Sequence, residues 1–235
     1  KQIMKKVIFL AIAAAAALTA CSKSEVIDSK YGNDMIGFEN YLGRDAQTKA
    51  GITTNDNLVS LGLFGYYTGA ETWENGKFAA NLWDGVELTK TNNWVPATPK
   101  YWTNDTDKYT FLAYAPYSDD AIKVTKGQTP AVEYTVNTDL SKQIDLLYAN
   151  AEDHVNMVKP ENNTVTLKFN HALSRLTVKA SATGEAFKFD VKEVYIEGKF
   201  NTTDVLTLAT GAWKNNGAVA TTDAKYTFHT KETGK

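Results

Sequence analysis

From Thr164 to Ala180 the chain reads Thr-Val-Thr-Leu-Lys-Phe-Asn-His-Ala-Leu-Ser-Arg-Leu-Thr-Val-Lys-Ala, its densest strand signal. Val165, Leu167 and Phe169 alternate with Thr164, Thr166 and Lys168, the two-residue period of a strand with one buried face. Beyond the step His171 to Ser174 the apolar positions are Leu176, Val178 and Ala180, so the parity has flipped. A continuous strand would then aim its second half at water, so a bulge or tight corner is expected at the joint, with His171 on it.

Similar short runs recur along the chain: Leu58 to Tyr67, Lys77 to Trp83, Lys108 to Ala115, Ala131 to Val136 and Asp145 to Ala149. The 12 Tyr, 10 Phe and 5 Trp are aromatic residues that suit pleated surfaces. Gly62 and Gly65 mark a bulge or a close backbone approach. Tyr109, Phe111, Ala113 and Ala115 share one face of a strand that Pro116 stops. Trp94, Pro96, Pro99 and Trp102 make an irregular crossing between strands. No helical periodicity follows residue 21, so the chain is expected to be all-β, an antiparallel sandwich architecture. The 235 residues carry 43% apolar and 22% charged residues with a net charge of -2, and no basic stripe. That balance describes a globular chain and excludes a nucleic-acid partner.

The N-terminal residues address the chain. Lys5 and Lys6 precede an apolar run from Val7 to Leu18, about 18 Å as a helix at ~1.5 Å per residue, short of the ~30 Å bilayer core. This is the core of a signal peptide, residues 1–20, with Met4 as its natural start. Leu18-Thr19-Ala20-Cys21 resembles a bacterial lipobox, and Cys21 is the single cysteine. Cleavage between Ala20 and Cys21 and lipidation of Cys21 are implied, anchoring the chain to the outer membrane at ~0.8 kcal/mol per buried methylene. Residues 21–34 are polar and read as a tether. Met35, Ile36 and Phe38 form the first candidate strand, followed by a polar segment containing Arg44. The arginines are Arg44 and Arg175. Arg44, in the expected loop, is the one an arginine-specific protease would reach first.

The polar run Asn150 to Asn163 suggests a boundary between an N-terminal sandwich, 35–158, and a C-terminal one, 159–235. In the latter, Phe187, Phe189 and Val191 hand over to Val194 and Ile196 in the opposite parity, which suggests a bulge near Lys192. Val205 to Leu208, Gly211 to Trp213 and Tyr226 to His229 supply further strands. This module is either small or incomplete, and an incomplete one is expected.

The order Ile36-Gly-Phe38, Thr48-Lys-Ala50, Phe78, Trp94, Tyr101-Trp102, Tyr109-Thr-Phe-Leu-Ala-Tyr-Ala-Pro116, Asp145-Leu-Leu-Tyr-Ala149 and Phe169-Asn-His-Ala-Leu-Ser-Arg-Leu176 resembles the fimbrillin-like lipoproteins, subunits of type V pili. The match extends over roughly residues 35–213. The resemblance implies two tandem transthyretin-like antiparallel β-sandwich domains, with the second incomplete here. It also implies export as a lipoprotein and assembly with other pilus subunits, as a homo- or heteropolymer, into surface fimbriae that support adhesion to host or bacterial ligands. In that family a protease cuts after an arginine behind the first strand, and a strand of the next subunit, from the far C-terminus, fills the opened groove. Where the family often shows Thr-Arg-Ala this chain has Thr48-Lys49-Ala50, which moves the expected cut to the bond between Arg44 and Asp45. Met35, Ile36 and Phe38 then belong to the strand removed. An anchor or tip subunit of the same pilus is the alternative that keeps that strand.

Catalysis is not expected. His154, His171 and His229 lack metal-ligand spacing, no phosphate loop or nucleophile elbow occurs, and no cofactor is implied. Asp119 and Asp120 read as a solvated turn, and Asp145 as a carboxylate held at a strand start. A sugar-binding lipoprotein is the rival from another class: Trp73, Trp83, Trp94, Trp102 and Trp213 could stack on sugar rings if two or three were exposed together.

Overall fold

The computed structural model describes residues 35–43, 53–91, 94, 96–103, 106–149, 164–179, 181, 190–215 and 220–230. Among these lie strands β1 (Gly37–Leu42), β2 (Ser60–Gly69), β3 (Trp83–Thr89), β4 (Lys108–Ala115), β5 (Ile122–Thr125), β6 (Ala131–Thr135), β7 (Leu147–Ala149), β8 (Thr164–His171), β9 (Glu193–Phe200), β10 (Thr203–Thr207), β11 (Ala212–Trp213) and β12 (Thr222–Thr230), with one 3-10 turn, Leu140–Lys142. The chain is all-β. A six-stranded sheet has the order β1-β8-β7-β4-β2-β3, a four-stranded sheet the order β11-β10-β6-β5, and β12 pairs with β9 in a third.

The central strands β2 and β4 of the six-stranded sheet are apolar on both faces. Leu61 and Leu63 of β2 join Tyr109, Phe111, Ala113 and Ala115 of β4 in one buried cluster, and the intervening Phe64, Tyr66, Leu112 and Tyr114 belong to a second. The second cluster is shared with Val132 and Tyr134 of β6 and Leu206 of β10, so it is the layer between the two larger sheets. The first cluster is enclosed by the sheet itself. Lys90, just past β3, and Phe38 of β1 both bridge to Trp94, which draws the two outer strands toward each other. The Phe38 and Trp83 rings meet edge-on at 5.6 Å across that closure. The expected crossing segment around Trp94 thus closes a curled sheet around a core.

Gly62 and Gly65 serve close approach. A Cβ at Gly62 would overlap the Tyr114 ring, and one at Gly65 would stand 2.6 Å from Trp83 Cε3. The bulge that was the other reading is present too, as a register shift between Leu63 and Phe64 against β3.

Several expectations are corrected. Strands β7 and β8, on either side of the run Asn150 to Asn163, pair antiparallel through Leu147 with His171 and Tyr148 with Asn170. Beyond residue 158, β8 also pairs with β1, and β10 pairs with β6. The division at residue 158 therefore cuts through two sheets: a polar run in sequence cannot say whether the strands beside it share a sheet. The sandwich is not wholly antiparallel, because β1 and β8 run parallel. Residues 77–82 form turns and bends, following Gly76 at φ +86°, and the strand begins only at Trp83.

Of the two devices expected at the joint, a bulge or a tight corner, no bulge interrupts β8 and the chain bends at Leu173 instead. β8 ends at His171; Ala172 N–H donates to Leu146 O at 2.8 Å, and Ala172 and Leu173 pack on the second cluster. Leu176 and Val178 are 55% and 49% exposed and belong to no strand. Alternation there signals a strand, but a strand forms only where a partner edge lies alongside. Phe187, Phe189, Cys21 with its signal, and the Arg44 and Asp45 pair fall outside the described residues.

Candidate functional site

Each expected first-strand residue lies in or beside β1, and each is tied down. Met35 bridges to Tyr101, and Ile36 N–H donates to Lys100 O at 2.9 Å. Ile36, Phe38 and Leu42 are at most 2% exposed, while Glu39 and Tyr41 face outward. This is the two-residue period: positions 36, 38, 40 and 42 point inward. Phe38 packs edge-on against Phe111 at 5.2 Å as well as against Trp83. Burying Ile36, Phe38 and Leu42 contributes about 1.5–3 kcal/mol each.

Both flanks of β1 are occupied. On one side the backbone runs parallel with β8 from Gly37 opposite Thr164 to Leu42 opposite Phe169, and the exposed Glu39 carboxylate accepts from the Thr166 hydroxyl. On the other side lies the crossing segment with Trp94, Lys100 and Tyr101. β1 is thus a strand inserted into a slot. If it left, β8 would become an edge with unpaired backbone groups above the buried row Val165, Leu167 and Phe169.

A polar network closes one end of the slot. Asn40, the inward residue that is not apolar, accepts from Trp94 Nε1 at 2.8 Å and donates through Nδ2 to Asn55 Oδ1 at 2.9 Å. Asn55 Oδ1 also accepts from Leu42 N–H at 2.8 Å, and Asn55 Nδ2 donates to Leu42 O at 3.2 Å. Lys90 Nζ donates to Asn55 O at 2.8 Å and stands over the Trp94 ring. The indole nitrogen can only donate, so the Asn40 carbonyl must face it. Sequence reading missed Asn40 and Asn55; an amide at an inward position of an otherwise apolar strand was the available signal.

Asp145, expected to meet backbone or a cation at a strand start, does the first and meets His171. It accepts from Thr53 N–H at 2.9 Å, and His171 Nδ1 lies 3.0 Å from each of its oxygens. It ties Thr53 to the end of β8. Asp119 accepts from Ala121 N–H at 2.8 Å within a turn. Among the described residues no group of three or more His, Cys, Asp or Glu could hold a metal ion.

The aromatic platform a sugar-binding surface would need is not formed by the tryptophans. Trp73, Trp83, Trp94 and Trp102 are at most 5% exposed, and Trp213 is half-buried with Nε1 donating to Ala172 O at 3.2 Å. Trp102 and Trp83 line the β1 slot's core instead.

Comparison with known proteins places this geometry. The family model described as fimbrillin-like matches residues 46–235. The chain is 28% identical over 190 residues to the Fimbrium subunit Fim1C of Phocaeicola vulgatus, a match covering 71% of this chain and 49% of that protein. The crystal structure of a fimbrial protein from Bacteroides vulgatus shares the fold, with a TM-score of 0.61, 21% identity, and coverage of 82% of this chain and 64% of that one. The chain thus spans about half the length of the curated relative that it matches.

Proposed function

The chain belongs to the fimbrillin-like family, a family of fimbrial structural subunits and not an enzyme class, and from that premise we propose that it is a lipoprotein precursor whose first strand is exchanged during pilus assembly. The supporting observation is β1 itself. It is a single strand in a slot bonded on both flanks, with an apolar inner row, and its last residue, Leu42, lies two positions before Arg44.

Cys21 is lipidated and holds the precursor at the outer membrane. An arginine-specific protease cuts between Arg44 and Asp45 and frees β1 with the tether. The opened slot then accepts a strand from another subunit, which regains backbone pairing with β8 at about 1 kcal/mol net per hydrogen bond together with the buried side chains. Because the donor and the slot are different surfaces, the contact is head-to-tail and propagates as a filament. Adhesion to host or bacterial ligands is then a property of the fimbrium.

The test is an Arg44→Ala precursor expressed in a fimbriated cell. Retention of an intact, lipidated chain and loss of detergent-resistant oligomers is the expected result; normal maturation and polymerisation would overturn processing at Arg44. A native protein found with its mass beginning at lipidated Cys21 would identify an anchor or tip subunit that keeps β1, and one beginning at Asp45 a polymerising subunit.

A further inference from the structure

The network at Asn40 constrains what else can occupy the slot. Trp94 is 1% exposed and its indole N–H has Asn40 Oδ1 as its acceptor. Asn55 is oriented by the backbone of Leu42, with its Oδ1 toward the Leu42 N–H and its Nδ2 toward the Leu42 carbonyl, so it presents an acceptor to the residue at position 40. The wall therefore offers one donor, from Trp94, and one acceptor, from Asn55, to the same inward side chain. A carboxamide satisfies both at once. An aliphatic side chain satisfies neither and leaves the buried indole N–H without a partner. A carboxylate satisfies Trp94 but sets its second oxygen against Asn55 Oδ1.

We propose that the slot selects its strand at this position: an incoming strand from another subunit carries an amide side chain opposite Trp94 and Asn55, flanked on its inward face by large apolar residues. The inward row of β1, Ile36, Phe38, Asn40 and Leu42, is the pattern such a donor reproduces: aliphatic, aromatic, carboxamide, aliphatic at two-residue spacing. The amide sets the register. A slip by two residues along the slot would bring an apolar side chain to Trp94 and bury the amide among Trp83 and Phe111. Apolar burial supplies affinity that tolerates such slips, and the single polar contact removes the tolerance. This inference rests on the strand-exchange reading proposed above.

The experiment uses the full chain with a site for a sequence-specific protease in place of residues 45–51. After cutting, the protein is incubated to equilibrium with fluorescently labelled peptides of residues 33–43 carrying Asn40, Asn40→Leu or Asn40→Asp, and a scrambled control, and uptake is followed by anisotropy. The expected result is uptake of the Asn40 peptide with at least about tenfold weaker binding of both variants. Equal binding of the Asn40 and Asn40→Leu peptides would overturn the selection and leave strand exchange standing. No uptake of any peptide beyond the scrambled control would overturn strand exchange and this inference with it. A Trp94→Phe protein, which keeps the ring and lacks the donor, is expected to bind the Asn40 and Asn40→Leu peptides within about threefold of each other. If that variant does not fold, Asn55→Ala is read instead, and loss of the preference for Asn40 over Asn40→Asp is the expected outcome; an unchanged preference would overturn the role of Asn55.

Discussion

Strands β4 and β9 are each eight residues long, yet they live in different surroundings. Every residue of β4 after Lys108 is buried, with rings on both faces, whereas β9 alternates exposed and half-buried positions along its whole length and leaves Tyr195 49% exposed. β4 lies inside a sheet packed on both sides; among the described residues β9 pairs with β12 alone. The difference is one of neighbours. A strand acquires a core face only when a second layer lies against it, and among the described residues β9 has less of one than β4.

The largest expected contrast follows from truncating a ring on each. Phe111→Ala in β4 removes a side chain in contact with Phe38, Trp83, Trp102 and Tyr109 and is expected to cost about 3–5 kcal/mol. Tyr195→Ala in β9 is expected to change stability by no more than about 1 kcal/mol. Urea unfolding of both variants checks the pair, and equal losses would erase the distinction. Gly62→Ala is expected to destabilise by about 1–3 kcal/mol, since the new Cβ overlaps the Tyr114 ring on the neighbouring strand; the same change at Gly198 in β9, where the nearest atom is 3.4 Å away in Phe200, is expected to be mild.

A smaller, pH-dependent effect separates the layers as well. Burial raises the phenols of Tyr66 and Tyr114 well above the ordinary 10.0. The neutral form is then favoured in the folded state, so the stability they carry is complete below pH about 10 and is lost as the pH rises toward their folded values. Alkaline unfolding followed by phenolate absorbance is expected to shift to higher pH in Tyr66→Phe. The smallest effect is expected from Leu176→Ser and Val178→Thr. Both side chains stand half-exposed outside any strand, so thermal unfolding is expected to move by less than about 0.5 kcal/mol in each.

The alternation that made Val165, Leu167 and Phe169 a strand was sound, and Phe38 lies in the first strand as expected, with Met35 and Ile36 just before its start. The same alternation at Leu176 and Val178 produced no strand. Period-2 patterning states which face would be buried if a sheet formed; it contains no information about which edge lies next to it. For that reason a first strand was legible, while its polar lock was not: Asn40, Asn55 and Trp94 are brought together from positions 15 and 54 residues apart.

The order of apolar and polar residues by itself determined that this chain is built of short strands with aromatic cores, because burial of alternate side chains needs only local sequence. The tertiary structure alone decided that β1 lies parallel beside β8, that β10 pairs with β6 across the expected domain division, and that Trp94 draws together the edges of the six-stranded sheet. Backbone hydrogen bonds between strands are nearly indifferent to side-chain identity. The choice of neighbour is therefore made by the packing of whole faces, which exists only once the chain has folded.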